Sequence, residues 1–374
     1  MTRKLLCLAA LLSVFAAPAL AQEDAGFEIE LRGRLFLDIA KVDEDFAGLI
    51  DDYSDSQVRT ARIGVQGGWR DWSYVAEADF AGDSVSLNDV FAAWSRNGVT
   101  VKAGHYRPSN SIEAITSGRF TTFMERAQAA DAFRYARRVG VSVARAGDNY
   151  TLTGGVFGGT VGDDSTGFHI SDAMVIAGRA TFVPVQTEDR IVHLGVHARY
   201  YDEGDDGSEA LRQRARPGVR MADRYVDARP TGETARLLGV EAAWIEGPVH
   251  VLFEGAVEDP DGGETANSAA VTAGWFITGE QRAYRASTGE FRRTAPARPV
   301  TEGGMGAWEL AFRADRFDAG ADGTQTAIGL GLNWYPVETV RFMVNAIHAE
   351  ADGAGARFGA GEMNAIQARF QVDW

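Results

Sequence analysis

Three stretches of this sequence crowd arginine. Residues 106–137 hold Arg107, Arg119, Arg126, Arg134 and Arg137 against Glu113, Glu125 and Asp131. Residues 279–305 hold Arg282, Arg285, Arg292, Arg293 and Arg298 against Glu280, Glu290 and Glu302. Residues 201–234 begin acidic, with Asp202, Glu203, Asp205, Asp206 and Glu209, then turn basic through Arg212, Arg214, Arg216, Arg220, Arg224 and Arg229. Of 37 cationic residues in the chain, three (Lys4, Lys41, Lys102) are lysine, so 34 are arginine. A guanidinium stays charged at physiological pH and presents a planar fork of donors matching carboxylate or phosphate oxygens. The chemistry these clusters suggest is therefore reversible coordination of anions, with no covalent step.

Other chemistries find little support. The one cysteine, Cys7, leaves no thiol elsewhere for disulfide, metal or nucleophilic use. His193 and His197 lie four apart, without cysteine or a suitably spaced carboxylate, so pore lining is the plainer expectation than a metal site. A membrane-embedded hydrolase would need a serine with a histidine nearby, and no Gly-x-Ser-x-Gly element is present. No catalytic residue, metal or cofactor is expected. A net charge of −15 opposes a nucleic-acid partner, and the local positive clusters oppose that global sign.

The elements that must position these arginines alternate with period two. In residues 27–42, Phe27, Ile29, Leu31, Leu35, Leu37 and Ile39 share one face, with Glu28, Glu30, Arg32, Arg34 and Asp38 opposite. The pattern recurs at 58–69, 72–80, 85–95, 99–105, 138–145, 150–158, 173–183, 191–200, 235–244, 249–257, 268–278, 306–317, 324–334, 340–349 and 363–374, which makes sixteen strands. Tight turns at 70–71, 97–98, 147–149 and 246–248 alternate with longer connections, as in bacterial barrels that join strands by short periplasmic turns and long outer loops. Residues 279–305 break that rule, being long on the periplasmic side. Trp69, Trp72, Trp94, Trp244, Trp275, Trp308, Trp334 and Trp374 all fall near the periplasmic ends, where amphipathic rings collect at a membrane interface. A soluble sandwich gives no reason for such one-sided placement.

The expectation is an all-β fold: a sixteen-stranded antiparallel transmembrane β-barrel with inward-folded loops. No stretch reaches the roughly 18 apolar residues a membrane helix needs, whereas a closed barrel satisfies every backbone group in lipid. Charged strand residues must then face the lumen, which puts Arg32, Arg34, Arg62, Arg179, Arg199, Arg313, Arg341 and Arg369 inside as a ladder. Such arginines either touch solute or brace the wall by pairing with inward carboxylates such as Glu77, Asp79, Glu241, Glu254, Glu309 and Asp373. At the N-terminus, Arg3 and Lys4, an apolar run from Leu5 to Phe15 and Ala19-Leu20-Ala21 form a cleavable export signal over 1–21, leaving 22–374 as the barrel. The bacterial outer membrane, with its lipid and lipopolysaccharide, is the expected location.

Two blocks and one hairpin carry a resemblance to a known family: NSIEAITSGRFTTFMERA at 110–127, the elements WFITGEQRAY, GEFRR and GAWELAFRADRF within 275–317, and GLNWYP at 331–336. With these the chain resembles the phosphate-selective porin O and P family. The resemblance implies a homotrimer of sixteen-stranded barrels. It also implies that the third outer loop, the fifth outer loop and one long periplasmic turn fold inward to narrow a pore for small solutes. The three arginine-rich stretches are those segments. The expected anion-binding constriction is Arg119, Arg126, Arg214, Arg216, Arg282, Arg285, Arg292 and Arg293. Its solute could be phosphate, polyphosphate or another organic anion, and a plugged structural or adhesive barrel remains the alternative.

Overall fold

The computed structural model describes residues 26–47, 52–133, 136–164, 167–205, 210–353 and 355–374. The expected export signal at 1–21, together with Arg134, Asp206 and Glu209, lies outside the described residues. Sixteen antiparallel strands close a single barrel. They are β1 (Phe27–Asp45), β2 (Tyr53–Trp69), β3 (Trp72–Asp79), β4 (Ser86–Arg96), β5 (Val99–Tyr106), β6 (Arg138–Ala146), β7 (Tyr150–Phe157) and β8 (Met174–Gln186). The second half comprises β9 (Arg190–Asp202), β10 (Thr234–Glu246), β11 (Val249–Pro260), β12 (Ala266–Phe276), β13 (Ala307–Asp318), β14 (Thr324–Val337), β15 (Val340–Asp352) and β16 (Gly361–Asp373). Each strand pairs with its sequence neighbours, and β1 meets β16 in a register running from Arg34 opposite Asp373 to Asp45 opposite Glu362. Closure leaves no unpaired strand edge, the condition for a sheet to persist in hydrocarbon.

Alternation decides which side chains face lipid. Leu238, Leu330 and Ile366 are 63%, 61% and 64% exposed, while their strand neighbours Leu237, Gly329 and Gln367 are buried on the inside. At the periplasmic rim, Trp308, Trp334, Phe342 and Phe370 form an outward aromatic row across β13 to β16, with ring centroids 5.5, 5.4 and 5.2 Å apart. Both indole N–H groups of that row donate to the Met305 carbonyl, at 3.2 and 2.9 Å, so each ring is apolar toward lipid and satisfied toward the rim. The two-residue turn Asn97-Gly98 closes β4 onto β5 with both φ angles positive, 51° and 75°, as the tightest hairpins require.

The barrel interior is unequally filled. The third outer loop, 107–137, carries two single-turn helices, α1 (Ile112–Ile115) and α2 (Gln128–Asp131), and lies against the inner face of β10 to β16. Inward side chains of that half satisfy the loop's backbone. Glu241 and Glu254 accept from the Ile112 and Glu113 amides at 2.7 and 2.8 Å. Asn345 accepts from the Met124 amide at 3.0 Å, and Asn333 donates to the Thr122 carbonyl at 3.0 Å. Space for the Phe123 ring comes from Gly329, where a Cβ would stand 2.9 Å from it.

Two further segments turn inward. The fifth outer loop contains a short hairpin pairing 213–214 with 227–228, and its Arg214 and Arg216 amides donate to Ala132 O and Asp131 Oδ2 of the third loop, both at 2.9 Å. The periplasmic segment 277–306 carries a hairpin pairing 284–285 with 290–291. This hairpin enters the lumen: Phe291 N donates to Thr116 Oγ1 at 3.2 Å, and Arg282 donates to the Phe120 carbonyl. The inward folding implied for all three segments is thus what the chain adopts.

Candidate functional site

With the third loop pressed on one half of the wall, open space remains beside the other. An inner cavity of about 650 Å³ lies between the lumen faces of β1 to β8 on one side and the third loop with the periplasmic hairpin on the other. Fourteen cationic side chains line it, thirteen arginines and Lys102, against three carboxylates, Asp89, Glu125 and Glu290. Each carboxylate is already engaged: Asp89 by Arg137 at 2.9 Å, Glu125 by Arg59 at 2.8 Å and Arg369 at 3.1 Å, Glu290 by Arg292 at 3.0 Å. An outer cavity of about 630 Å³ is lined by seven arginines and by Asp223 and Asp227.

The sequence-predicted residues distribute over these spaces in a definite way. Arg34, Arg62, Arg119, Arg126, Arg179, Arg285, Arg292 and Arg369 line the inner cavity, and Arg214 and Arg216 the outer one. Arg282, Arg293 and Arg341 gather with Arg119 and Arg292 around a small recess toward the periplasmic mouth. Arg199 and Arg313 line neither cavity: Arg199 is buried on Glu258, and Arg313 reaches Glu113 at 2.5 Å and the Glu125 carbonyl at 2.8 Å.

Most strand arginines also brace. Glu77 receives Arg32, Arg34 and Arg62 at 3.2, 3.0 and 3.2 Å, and Asp79 receives Arg62 at 2.8 Å. Arg369 holds Asp38 at 2.7 Å and the Met124 carbonyl at 2.6 Å. Arg341 donates to the Thr121 and Thr122 carbonyls at 2.7 and 3.1 Å. The ladder thus doubles as the set of bolts that seats the third loop.

Two of the third-loop arginines, Arg126 and Arg107, are held differently, and this leaves their charge less compensated than that of Arg119 and Arg137, which reach Asp373 and Asp89. Arg126 donates to the loop's own Glu113 and Thr116 carbonyls at 2.9 and 2.7 Å, and Arg107 to the Ala114 carbonyl at 2.5 Å. Burial, followed by repulsion from Arg126 and Arg137, pushes the Arg107 guanidinium well below its ordinary pKa. Burial lowers Arg126 too, with Glu113 and Glu125 only partly opposing it. In the outer cavity, burial and then Arg224 and Arg220 bring Arg216 down to about 10. Burial is the leading cause in all three, with repulsion from neighbouring guanidiniums next for Arg107 and Arg216, and an arriving anion relieves that repulsion.

His193, expected to line the pore, does not. It is fully buried, with Nδ1 2.6 Å from the Tyr284 hydroxyl and Nε2 2.9 Å from Glu241. The periplasmic hairpin that brings Tyr284 covers it, and no strand alternation foretells that cover. Conversely, Arg59 was not among the expected site residues. Alternation from Ile63 assigns it to the lipid face, but Arg59 is itself the extra residue of a bulge opposite Phe36 and Leu37, which reverses the phase and turns it inward to Glu125. Lys102 shares a lumen face with Thr100, as strand phase alone implies.

A closed sixteen-stranded barrel with an aromatic rim, inward loops and a water-accessible cationic interior defines the protein as a porin of the bacterial outer membrane. The family described as phosphate-selective porin O and P matches residues 29–374, and the chain belongs to it. Porin O of Pseudomonas aeruginosa is 24% identical over 381 aligned residues, covering 89% of this chain and 85% of that one. An uncharacterised protein of Caulobacter vibrioides is 29% identical over 350, covering 88% and 69%. Among solved structures, the anion-selective porin from Comamonas acidovorans superposes with a TM-score of 0.56 at 14% identity, over 93% of this chain and all of that one. The outer-membrane channel DcaP of Acinetobacter baumannii gives 0.57 at 13%, over 93% and 98%. These structural likenesses speak to the fold.

Proposed function

We propose that this porin is an anion-preferring channel for passive diffusion of small solutes, with phosphate, polyphosphate or organic anions as its range. The observation that carries this reading is the inner cavity, where fourteen cationic side chains face three carboxylates, each of them paired. An anion entering a narrow space loses part of its hydration, and guanidinium donors replace it. At 4 Å and an effective dielectric near 20 one such charge contributes about 4 kcal/mol before desolvation is subtracted. Spreading the charges over two cavities suits conduction, which needs several modest sites in place of one deep well. The anion-selective name of the Comamonas porin and the family's phosphate-selective description agree with this reading.

The plugged-barrel alternative requires the β1 to β8 half to be filled as the other half is, and the open inner cavity speaks against that. A hydrolase acting through His193 would need a serine hydroxyl at its ring and access for substrate, whereas the ring is fully buried between the Tyr284 hydroxyl and Glu241, which supports a channel without catalysis. The functional unit we propose is a homotrimer in lipid and lipopolysaccharide, exported by way of the 1–21 signal.

The test is a reversal potential across a planar bilayer under a potassium chloride gradient at neutral pH. Chloride preference is expected, together with concentration-dependent block of the chloride current by added phosphate or carboxylates. Replacing Arg285 and Arg292 by alanine should weaken that block. A potassium-preferring reversal potential overturns the proposal.

A further inference from the structure

The two banks of the inner cavity differ in chemistry. The third loop and the periplasmic hairpin present mainly arginine, whereas the facing wall of β3 to β7, besides Arg145, Lys102 and the paired Asp89, presents Val75, Phe91, Tyr106 and the hydroxyls of Thr100, Ser142 and Thr153. The apolar part of that wall is built, not incidental. Val75 is the direct cross-strand neighbour of Phe91, and Phe91 meets Tyr106 edge-on at 5.8 Å and 67°. The Tyr106 hydroxyl is fixed by Ser142 Oγ at 2.7 Å. On the other side of Phe91 its partner is Gly104, at φ +135°, where any Cβ would come within 3.0 Å of Phe91 backbone and side chain.

Lys102 stands on this patch. Its ammonium lies 4.6 Å from the Phe91 ring centroid and 4.9 Å from that of Tyr106. Among the described residues no carboxylate lies within ion-pair distance of it, and the nearby Asp89 is taken by Arg137 through two hydrogen bonds, at 2.9 and 3.3 Å. An ammonium held by aromatic faces keeps its full charge for a ligand, because a ring quadrupole positions a cation without neutralising it.

We propose that the passage is built for organic anions with an apolar body, aryl or branched alkyl monocarboxylates. The body rests against Val75, Phe91 and Tyr106, and the carboxylate lies between Lys102 and the guanidinium bank. A hydrated inorganic anion gains nothing from the apolar wall and leaves its surface wet. An amphiphilic anion covers that surface and turns its charge to the arginines, so both banks contribute at once. The inference rests on the anion-preferring reading and narrows it to a ligand class.

The test compares acetate and benzoate as blockers of single-channel chloride current, with inorganic phosphate as a third probe. Benzoate is expected to block at about one-tenth the concentration that acetate needs, the difference expected when part of a ring is removed from water. In Phe91→Ala that ratio should fall to about two, and in Phe91→Leu, which keeps an apolar side chain of similar size, it should stay between the two values. Lys102→Gln should raise the blocking concentration of both carboxylates. Equal block by acetate and benzoate in the unaltered channel overturns the proposal, as does a ratio unmoved by either Phe91 substitution. A potassium-preferring reversal potential on the same membranes instead removes the anion-preferring reading beneath it.

Discussion

An arginine inside a β-barrel can meet solute or meet protein, and here most strand arginines meet protein. Guanidiniums on the strands reach carboxylates and loop carbonyls a fixed distance away, because strand pairing leaves them little freedom. On the loop, Arg107 and Arg126 find neutral carbonyls, while Arg119 and Arg137 reach Asp373 and Asp89. Glu125 is the loop residue that joins the two sets, meeting Arg59 of β2 and Arg369 of β16. Burial alone would raise its carboxyl, but the charge and hydrogen bonds of Arg59, with Arg369 beyond, hold it well below the usual carboxylate range. A depressed folded pKa contributes stability that is present above the unfolded value, near 4.3, and is lost only as pH falls through the lower folded value. The third loop should therefore stay seated at pH 4, and single-channel conductance there should match that at pH 7. Glu125→Gln should cost about 3 kcal/mol, since it leaves a buried Arg59 without its counter-charge. A lower temperature for conversion of the folded to the heat-denatured gel band measures this; an unchanged temperature would mean that the pin carries no load. Arg59 also marks the limit of reading by period. A single inserted residue reverses which face a side chain takes, and nothing in local composition announced the bulge.

At the scale of elements, strands were legible and the pieces inside them were not. Each of the sixteen strands lies where alternation puts it, because lipid on one side and water on the other impose a period of two over eight or more residues. The hairpins at 213–214 with 227–228 and 284–285 with 290–291 pair only two residues each, too few to carry any period. Their positions are fixed by side chains far off in sequence. Arg179 of β8 shows this best: it donates to the Thr288 and Gly289 carbonyls at the hairpin tip, at 3.2 and 2.7 Å, while its Nε donates to Glu241 at 2.9 Å. Glu241 in turn takes the Ile112 amide and His193. One buried carboxylate thereby ties the third loop, the hairpin and two strands together. In Arg179→Met the hairpin tip loses both donors and should withdraw toward the periplasm, carrying Arg285 and Arg292 with it. Chloride conductance should rise while the preference for chloride over potassium declines. If conductance and reversal potential both stay as they were, the hairpin is held by Arg282 and Phe291 instead.

The whole molecule is lopsided, and its outside follows its inside. The half of the wall that carries the third loop, β10 to β16, consists of strands of 11 to 14 residues, whereas β3, β5 and β7 have 8 residues each and β6 has 9. Eight residues rising about 3.3 Å each at a tilt near 40° span roughly 20 Å, less than the apolar band of about 25 Å that such barrels present to lipid. These strands cannot cover the hydrocarbon thickness alone. On β3 to β5 the outward faces also carry small side chains, Ala76, Ala92 and Ala103, between Trp72 and Val101, where the opposite side shows Leu330, Phe342 and Ile366. A stretch of wall that includes two eight-residue strands and a run of outward alanines fits shielding by further copies of the same chain, and we place the contact of the proposed trimer on β3 to β5. Phenylalanine is tolerated by lipid but not by a closely packed alanine face. Ala92→Phe combined with Ala103→Phe should therefore convert the trimer band of an unheated gel into a folded monomer that still shifts on heating. Leu330→Ala, on the far side, should leave the trimer band in place. A trimer that survives the paired substitution, with Leu330→Ala dissociating it, would move the interface to the opposite wall and leave the short strands without an explanation.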